Sequence, residues 1–346
     1  MRASVVVRSK DEAPRLRLTL ASLANQTEPA EVVVVNDGST DGTRAVMDEA
    51  ASLMPLVCVH HDRPAGRSEA SNAGAARASG DIVIFLDGDT LAGPDMVARH
   101  LAVYRANSNL MGRGETFHLR STRIFADPES GSPMPGEEMR VAALPDEERE
   151  RLRITRDGIA ANFDAIHRRG QTGIYPGTGP RELFDMEMDA LRAHPECPVL
   201  WAAASGANQS VNRRAFLDVG GFDADLVINE HRELALRMMA RIGARMAPAN
   251  GARTYHMTHR KGWRDPLADR DWERRFYDAH PVPAVALLTV LWAGISDSAP
   301  FPKAARIRSI PALAEAAERC EGVVGIEAVR NAHFAASTAL ATGRVA

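Results

Sequence analysis

Short apolar runs alternate with amphipathic segments over the first hundred residues. Residues 3–7, 32–35, 56–59 and 82–86 are apolar and rich in β-branched side chains. Runs of this length read as strands buried on both faces. Between them lie segments that read as helices: one with Leu16, Leu18, Leu20 and Leu23, one with Val46, Met47 and Ala50, and one over residues 70–78. The strand runs end in polar loops: Arg-Ser-Lys-Asp-Glu at 8–12, Asn-Asp-Gly-Ser-Thr-Asp-Gly at 36–42, and a glycine-bearing loop around Gly66 and Arg67. Thr40 or Asp41 is placed to cap the helix that follows. Alternating strand and helix predict an α/β unit with a parallel sheet and right-handed crossovers.

The pattern changes beyond residue 112. Residues 113–200 hold Pro128, Pro133, Pro135 and Pro145, a charged segment at 146–153 that reads as an exposed helix, and a glycine-rich turn region at 170–180 around Tyr175. An amphipathic helix follows, with Leu183, Met186, Met188 and Leu191 on its apolar face. A short strand is expected at 252–255. After Arg264 the chain turns Ala-rich and helical, with amphipathic helices at 312–319 and 325–340 that pack on the core or on a second copy of the chain. The apolar stretch 282–295 contains Pro283 and is too short to span a membrane, so it reads as a buried helix. These shifts divide the chain at 1–112, 113–200, 201–264 and 265–346.

A chain of 346 residues can bury a sizeable core, as one large domain with an appendage. With 45% hydrophobic and 25% charged residues it has the composition of a globular protein. A net charge of -3 argues against nucleic acid as a partner. Cys58, Cys197 and Cys320 are far apart and show neither metal spacing nor a disulfide framework, which suits a reducing cytoplasm. A core strand beginning right after Met-Arg-Ala leaves no room for a signal peptide. A cytoplasmic protein without membrane contact is the expectation.

The chemistry concentrates at 81–90, Asp-Ile-Val-Ile-Phe-Leu-Asp-Gly-Asp-Thr. Residues two apart on a strand share a side, so Asp87 and Asp89 can converge beyond the strand's carboxyl end, where open α/β sheets keep their ligands. Such a pair suits a hard divalent cation that in turn grips phosphate. The plainer reading is an acidic turn. With Asp37 placed to accept from a base N–H and Arg67 to face a diphosphate, the loops outline a nucleoside-diphosphate site.

Three segments in order, Val-Val-Val-Arg-Ser-Lys-Asp-Glu at 5–12, Val-Val-Val-Asn-Asp-Gly-Ser-Thr-Asp-Gly-Thr at 33–43, and 71–89 ending in Asp-Gly-Asp, resemble family-2 glycosyltransferases of the A-type fold. The resemblance is close over about the first 95 residues. It resumes at 201–237, with Trp-Ala-Ala-Ala-Ser-Gly-Ala-Asn at 201–208 and Val-Gly-Gly-Phe-Asp at 219–223, and again near His256. It implies a Rossmann-like, mostly parallel sheet flanked by helices, with a helical C-terminal extension. The implied activity is hexosyl transfer from a nucleotide-diphosphate sugar, UDP by default, to a hydroxyl-bearing acceptor. On this resemblance Ser9, Glu12, Asp37, Arg67, Asn72, Asp87 and Gly88 face the donor. Asp87, Asp89 and His256 hold the cation, with His259 the second choice of histidine. An imidazole ligand favours Mn²⁺ over Mg²⁺. Gly206, Asn208 and Tyr175 are the acceptor-side candidates.

The family often shows Glu-Asp-x-Glu-Leu-x-x-Arg where this chain has Glu230-His231-Arg232-Glu233-Leu234-Ala235-Leu236-Arg237. In inverting members that Asp is the general base. His231 stands in its place, and histidine, with a pKa of about 6.5, can serve as a base. Glu230 is the other candidate. Glu233 and Arg237, four apart on a helix, read as a structural ion pair. The expectation is an inverting enzyme with a small soluble acceptor. Glu182, Asp185, Glu187 and Asp189 suit a cationic acceptor or form a solvated helix face. A retaining enzyme of the same fold, a nucleotidyltransferase and a non-catalytic sugar-nucleotide-binding protein are the alternatives.

Overall fold

The computed structural model describes residues 1–105, 107–172, 183–259, 267, 269–295 and 301–341. The first half follows the strand–helix alternation: β1 (Ala3–Ser9), α1 (Ala13–Ala24), β2 (Glu31–Asp37), α2 (Thr43–Leu53), β3 (Leu56–His61), α3 (Arg67–Arg77) and β4 (Ile82–Asp87). The order β3-β2-β1-β4 is parallel throughout, with Val5 opposite both Val32 and Ile84. Strand periodicity sorts these side chains to two faces. Val5, Val7, Val34, Ile84 and Leu86 pack against Leu16, Leu20 and Met47 on one face. Val6, Val33, Val83 and Phe85 meet Ala75, Trp201, Phe216 and Phe222 on the other. Gly74 lets α3 approach closely, since a Cβ there would lie 2.4 Å from Val6 Cγ1. The cap of the second helix is Gly42 and not Thr40 or Asp41, although Asp41, one residue earlier, accepts from the Thr43 N–H.

β5 (Thr90–Ala92), α4 (Met96–Val103) and β6 (Leu110–Leu119) follow. β6 is an interior strand of the same sheet, so the division expected at 112 falls inside a strand. Beyond it come the small ribbon β7 (Phe125–Asp127) and β8 (Ser132–Pro133), then α5 (Glu138–Ala142), α6 (Asp146–Leu152), α7 (Arg156–Ala161), α8 (Phe163–His167) and β9 (Gln171–Thr172). α6 buries none of its residues, as its charge predicted. α9 (Leu183–Ala193) packs Met188 and Leu191 into the core.

The sheet turns mixed where β10 (Gln209–Asn212) runs antiparallel between β4 and β6. After α10 (Arg213–Asp218) and α11 (Glu230–Ile242), β11 (Arg245–Met257) pairs parallel with β6 and antiparallel with β5. It is much longer than the strand expected at 252–255, because a register shift between Pro248 and Arg253 lets pairing continue through the polar residues. The C-terminal helices are α12 (Asp271–Ala279), α13 (Pro283–Ala286), α14 (Leu288–Gly294), α15 (Ile310–Glu318) and α16 (Ile326–Ala341). The expected buried helix at 282–295 is two short helices joined at Leu287, both in the core. Trp272, Leu288, Trp292 and Leu313 share one core with Trp201 and Phe216, so these helices pack on the sheet layer of their own chain. The buried Glu273 carboxylate, Thr289 and Arg330 tie α12, α14 and α16 together. Among the described residues no helix is long and apolar enough to cross a membrane.

Candidate active site

The carboxyl ends of β1 and β4 lie side by side, Gly88 N donating to Arg8 O at 2.9 Å. Gly88 has to be small: a Cβ would meet Ser9 Cβ at 2.7 Å. The turn through Gly88 sends the two flanking carboxylates to different partners. Asp87 Oδ1 accepts from Arg8 Nε at 2.7 Å. Asp89 Oδ2 lies 3.2 Å from His256 Nε2 and 2.8 Å from His259 Nε2. Pairing of β11 with β5 positions His256, which sits opposite Thr90. Asp89, His256 and His259 thus bring one ligand atom each within 4.8 Å of one another, and Asp87 stands outside that cluster.

One carboxylate oxygen and two imidazole nitrogens form a donor set that suits Mn²⁺ or Zn²⁺ better than Mg²⁺. The electrostatics agree with a cation. Burial, then the charges of Asp89 and Asp87, push the Glu12 carboxyl well above its usual range. Burial also works against the Asp89 carboxylate, but His256 and His259 outweigh it and hold its pKa low. His118, opposite His256 on β6, is pushed down to about 4, by burial first and then by His256. The residues therefore fit a divalent cation held by Asp89, His256 and His259.

The second cluster lies at the start of α11. Asn229 adopts a left-handed conformation (φ 68°) and aims Glu230, the first helical residue, back at the strand ends. Arg8 Nη1 lies 3.5 Å from Glu230 Oε1. Burial opposes ionisation of Glu230, yet His231, Arg8 and Arg67 together hold its pKa at about 2. His231 Nε2 accepts from Arg232 Nη1 at 2.9 Å. Its Nδ1 is buried, 3.7 Å from Glu230 Oε2, and has no hydrogen-bond partner among the described residues. Burial and the Arg232 charge lower the imidazole pKa against the opposing pull of Glu230 and Glu187.

The sequence model of glycosyl transferase family 2 matches residues 4–126, the stretch that supplies Arg8, Asp87 and Asp89. The chain carries a family-2 glycosyltransferase domain. It is similar to the validoxylamine A glucosyltransferase of Streptomyces hygroscopicus subsp. jinggangensis, with 31% identity over 243 residues, covering 68% of this chain and 51% of the relative. It is also similar to the uncharacterized glycosyltransferase YfnE of Bacillus subtilis, with 34% identity over 113 residues, covering 32% and 29%. The chain thus spans about half or less of the length of these curated relatives. Among solved structures, the mannosyltransferase PcManGT of Pyrobaculum calidifontis, in complex with GDP-Man and Mn²⁺, aligns over 100% of this chain and 76% of its own at a TM-score of 0.50 and 19% identity. TarS 1-349 of S. aureus aligns over 99% and 92% at a TM-score of 0.51 and 15% identity. The fold is the A-type glycosyltransferase fold.

Within this family-2 domain the remaining candidates fall in different places. Asp37 Oδ1 lies 2.8 Å from His61 Nδ1 and accepts from the Ala65 N–H, and Oδ2 accepts from the Gly66 N–H. Asp37 therefore shapes the loop that leads to Arg67. Ser9 Oγ is buried beside Gly88 with no hydrogen-bond partner among the described residues. Asn72 spends its side chain on Phe222, donating to its carbonyl at 2.9 Å and accepting from its N–H at 2.8 Å. That clamp fixes the Gly220–Gly221 turn, both residues of which have positive φ. Gly206 sits beside the catalytic candidates: a Cβ there would lie 3.3 Å from His231 Nδ1 and 3.6 Å from Glu230 Oε1. Tyr175 lies outside the described residues.

Two readings need correction. Asn208 is 0% exposed. Its Oδ1 meets His100 Nε2 at 2.7 Å, and its Nδ2 donates to Ala252 O and Glu115 O. It ties β10 to its neighbours and does not face an acceptor. Glu187 is neither on a solvated face nor open to a cationic acceptor. It is buried between Arg113 (2.7 Å) and Arg232 (2.6 Å). The Glu233–Arg237 pair is structural as expected, with Arg237 also donating to Val219 O and Gly221 O. Arg8, Arg232 and His118 were not singled out in the sequence. Arg8 carried a faint signal, a cation directly ending a buried strand.

Proposed function

We propose that the chain transfers a hexosyl group from a nucleotide-diphosphate sugar, UDP-linked by default, to a hydroxyl of a small soluble acceptor, with inversion. The observation that carries this reading is the Asp89–His256–His259 cluster at the sheet's carboxyl edge, beside the Arg8–Asp87 pair, within a family-2 domain. A divalent cation held there supplies positive charge to a departing diphosphate. Asp87, oriented by Arg8, faces the donor side. Glu230 is the better of the two candidate bases. It is ionised across the working pH range, whereas the basic nitrogen of His231 is already engaged by Arg232.

Incubation with UDP-, GDP- and dTDP-sugars plus Mn²⁺ or Mg²⁺ should release the nucleoside diphosphate. Pyrophosphate instead would mark a nucleotidyltransferase, and binding without turnover a binding protein. The name of the Streptomyces relative makes glucose the first sugar to try and validoxylamine A the first acceptor. The commitment of His231 Nε2 to Arg232 also keeps a retaining mechanism as the second reading, since it removes a free base from that position. The anomeric coupling of the product by proton NMR separates the two.

A further inference from the structure

Neighbouring residues on a helix do not face each other, yet Arg232 touches His231. It does so because its guanidinium is pinned elsewhere. Nε donates to Ala202 O at 2.8 Å, Nη1 to Asn229 Oδ1 at 2.9 Å and Nη2 to Glu187 Oε1 at 2.6 Å. The group also lies over the Trp292 ring, 4.9 Å from its centroid. A guanidinium donates and never accepts. Its contact with His231 Nε2 therefore requires the lone pair on that nitrogen, and the neutral ring carries its proton on Nδ1.

Nδ1 is buried and has no hydrogen-bond partner among the described residues. It lies 3.7 Å from Glu230 Oε2, too far for a hydrogen bond, and the absence of a side chain at Gly206 leaves it uncrowded, since a Cβ there would stand 3.3 Å from it. A buried N–H left unsatisfied is costly. A hydroxyl oxygen seated between it and Glu230 would accept from Nδ1–H while giving its own proton to the carboxylate. The charged groups facing the ring are Glu230, Arg232, Glu187 and, on the other side of Gly206, Arg8. A second proton on Nε2 would point at the Arg232 cation.

Resting on the proposed transfer reaction, we infer that His231 is a fixed hydrogen-bond donor to the acceptor hydroxyl through Nδ1–H. Arg232 and Glu187 are the positioning residues that set its tautomer. α9, which carries Glu187, thereby reaches the site through Arg232.

The test has two arms. In the first, long-range ¹H–¹⁵N spectra of the histidine-labelled full chain are recorded, with His231 assigned by its loss in His231→Gln. The expected result is a neutral Nδ1–H ring from pH 6 to 8 in the wild type. Arg232→Met should release the ring to titrate or to exchange tautomers, and Arg232→Lys should restore the wild-type spectrum in part. An Nε2–H tautomer in the wild type, or one unmoved by Arg232→Met, overturns the inference. If Arg232→Met does not fold, Glu187→Gln is read in the same way, and the wild-type spectrum alone can refute the tautomer. The second arm measures nucleoside-diphosphate release. His231→Asn puts an amide N–H where Nδ1–H stood but has no base, so it should retain activity to within about tenfold, where loss of a general base costs about 10²–10⁴-fold. A loss of that larger size overturns the donor role. Absence of turnover in the wild type would refute the proposed reaction, while the spectra would still judge the tautomer.

Discussion

Arg8 Nε donates to Asp87 Oδ1 across 2.7 Å, and the same guanidinium reaches Glu230 Oε1 at 3.5 Å. One cation at the end of β1 thus links the end of β4 to the start of α11. Arg8→Met leaves the buried Glu230 and the half-buried Asp87 without their shared partner. It is expected to lower kcat for nucleoside-diphosphate release by on the order of tenfold or more, with partial recovery in Arg8→Lys. Unchanged kinetics in Arg8→Met would remove Arg8 from the site.

The split between Asp87 and Asp89 predicts unequal effects on cation binding. Asp89→Asn and His259→Gln each remove an atom of the cluster and should weaken Mn²⁺ affinity by on the order of 10–100-fold or more. Asp87→Asn should weaken it far less, because Asp87 faces Arg8. Titration of Mn²⁺ by electron paramagnetic resonance reads the free ion directly. Equal losses for Asp87→Asn and Asp89→Asn would restore the two-carboxylate site that the sequence suggested.

Asn208→Ala separates structure from recognition. The substitution strands His100 Nε2 and the carbonyls of Ala252 and Glu115 in a buried layer. Each buried group left unsatisfied costs about 1–3 kcal/mol. Urea unfolding should show a loss of about 2–5 kcal/mol, with acceptor KM unchanged at a temperature where the variant is folded. A raised acceptor KM without loss of stability would return Asn208 to the acceptor pocket.

The parts of this molecule legible in the sequence are those written in local pattern. Apolar runs at β1, β2 and β4, helical periodicity and glycine-bearing turns specify themselves within a few residues. The Glu233–Arg237 pair follows from helical spacing alone. The parts that escaped depend on pairing across long sequence gaps. β10 enters the sheet between β4 and β6 although its run Gln209-Ser210-Val211-Asn212 has little strand character, and its burial comes from its neighbours. Arg232 was not singled out in the sequence, and its burial depends on Glu187, 45 residues earlier, being brought beside it. The Asp-Gly-Asp motif was found, but not its division of labour, since strand alternation does not survive the turn through Gly88.

Acid titration tests the charge state of Glu230. Its folded pKa of about 2 lies below the ordinary carboxylate value, so its ionised form stabilises the fold. The sign follows directly. The contribution is fully present above the unfolded pKa of about 4.3 and is lost as pH falls through that value toward the folded one. Glu230→Gln lacks this contribution at every pH. The stability gap between the two chains should therefore be constant from pH 5 to 7 and should shrink below pH 4.5 by about 1 kcal/mol per pH unit. Urea midpoints at pH 3, 4, 5 and 6 measure the gap. A gap that stays constant down to pH 3 would show that His231, Arg8 and Arg67 do not hold Glu230 ionised, and the case for it as the base would fall with them.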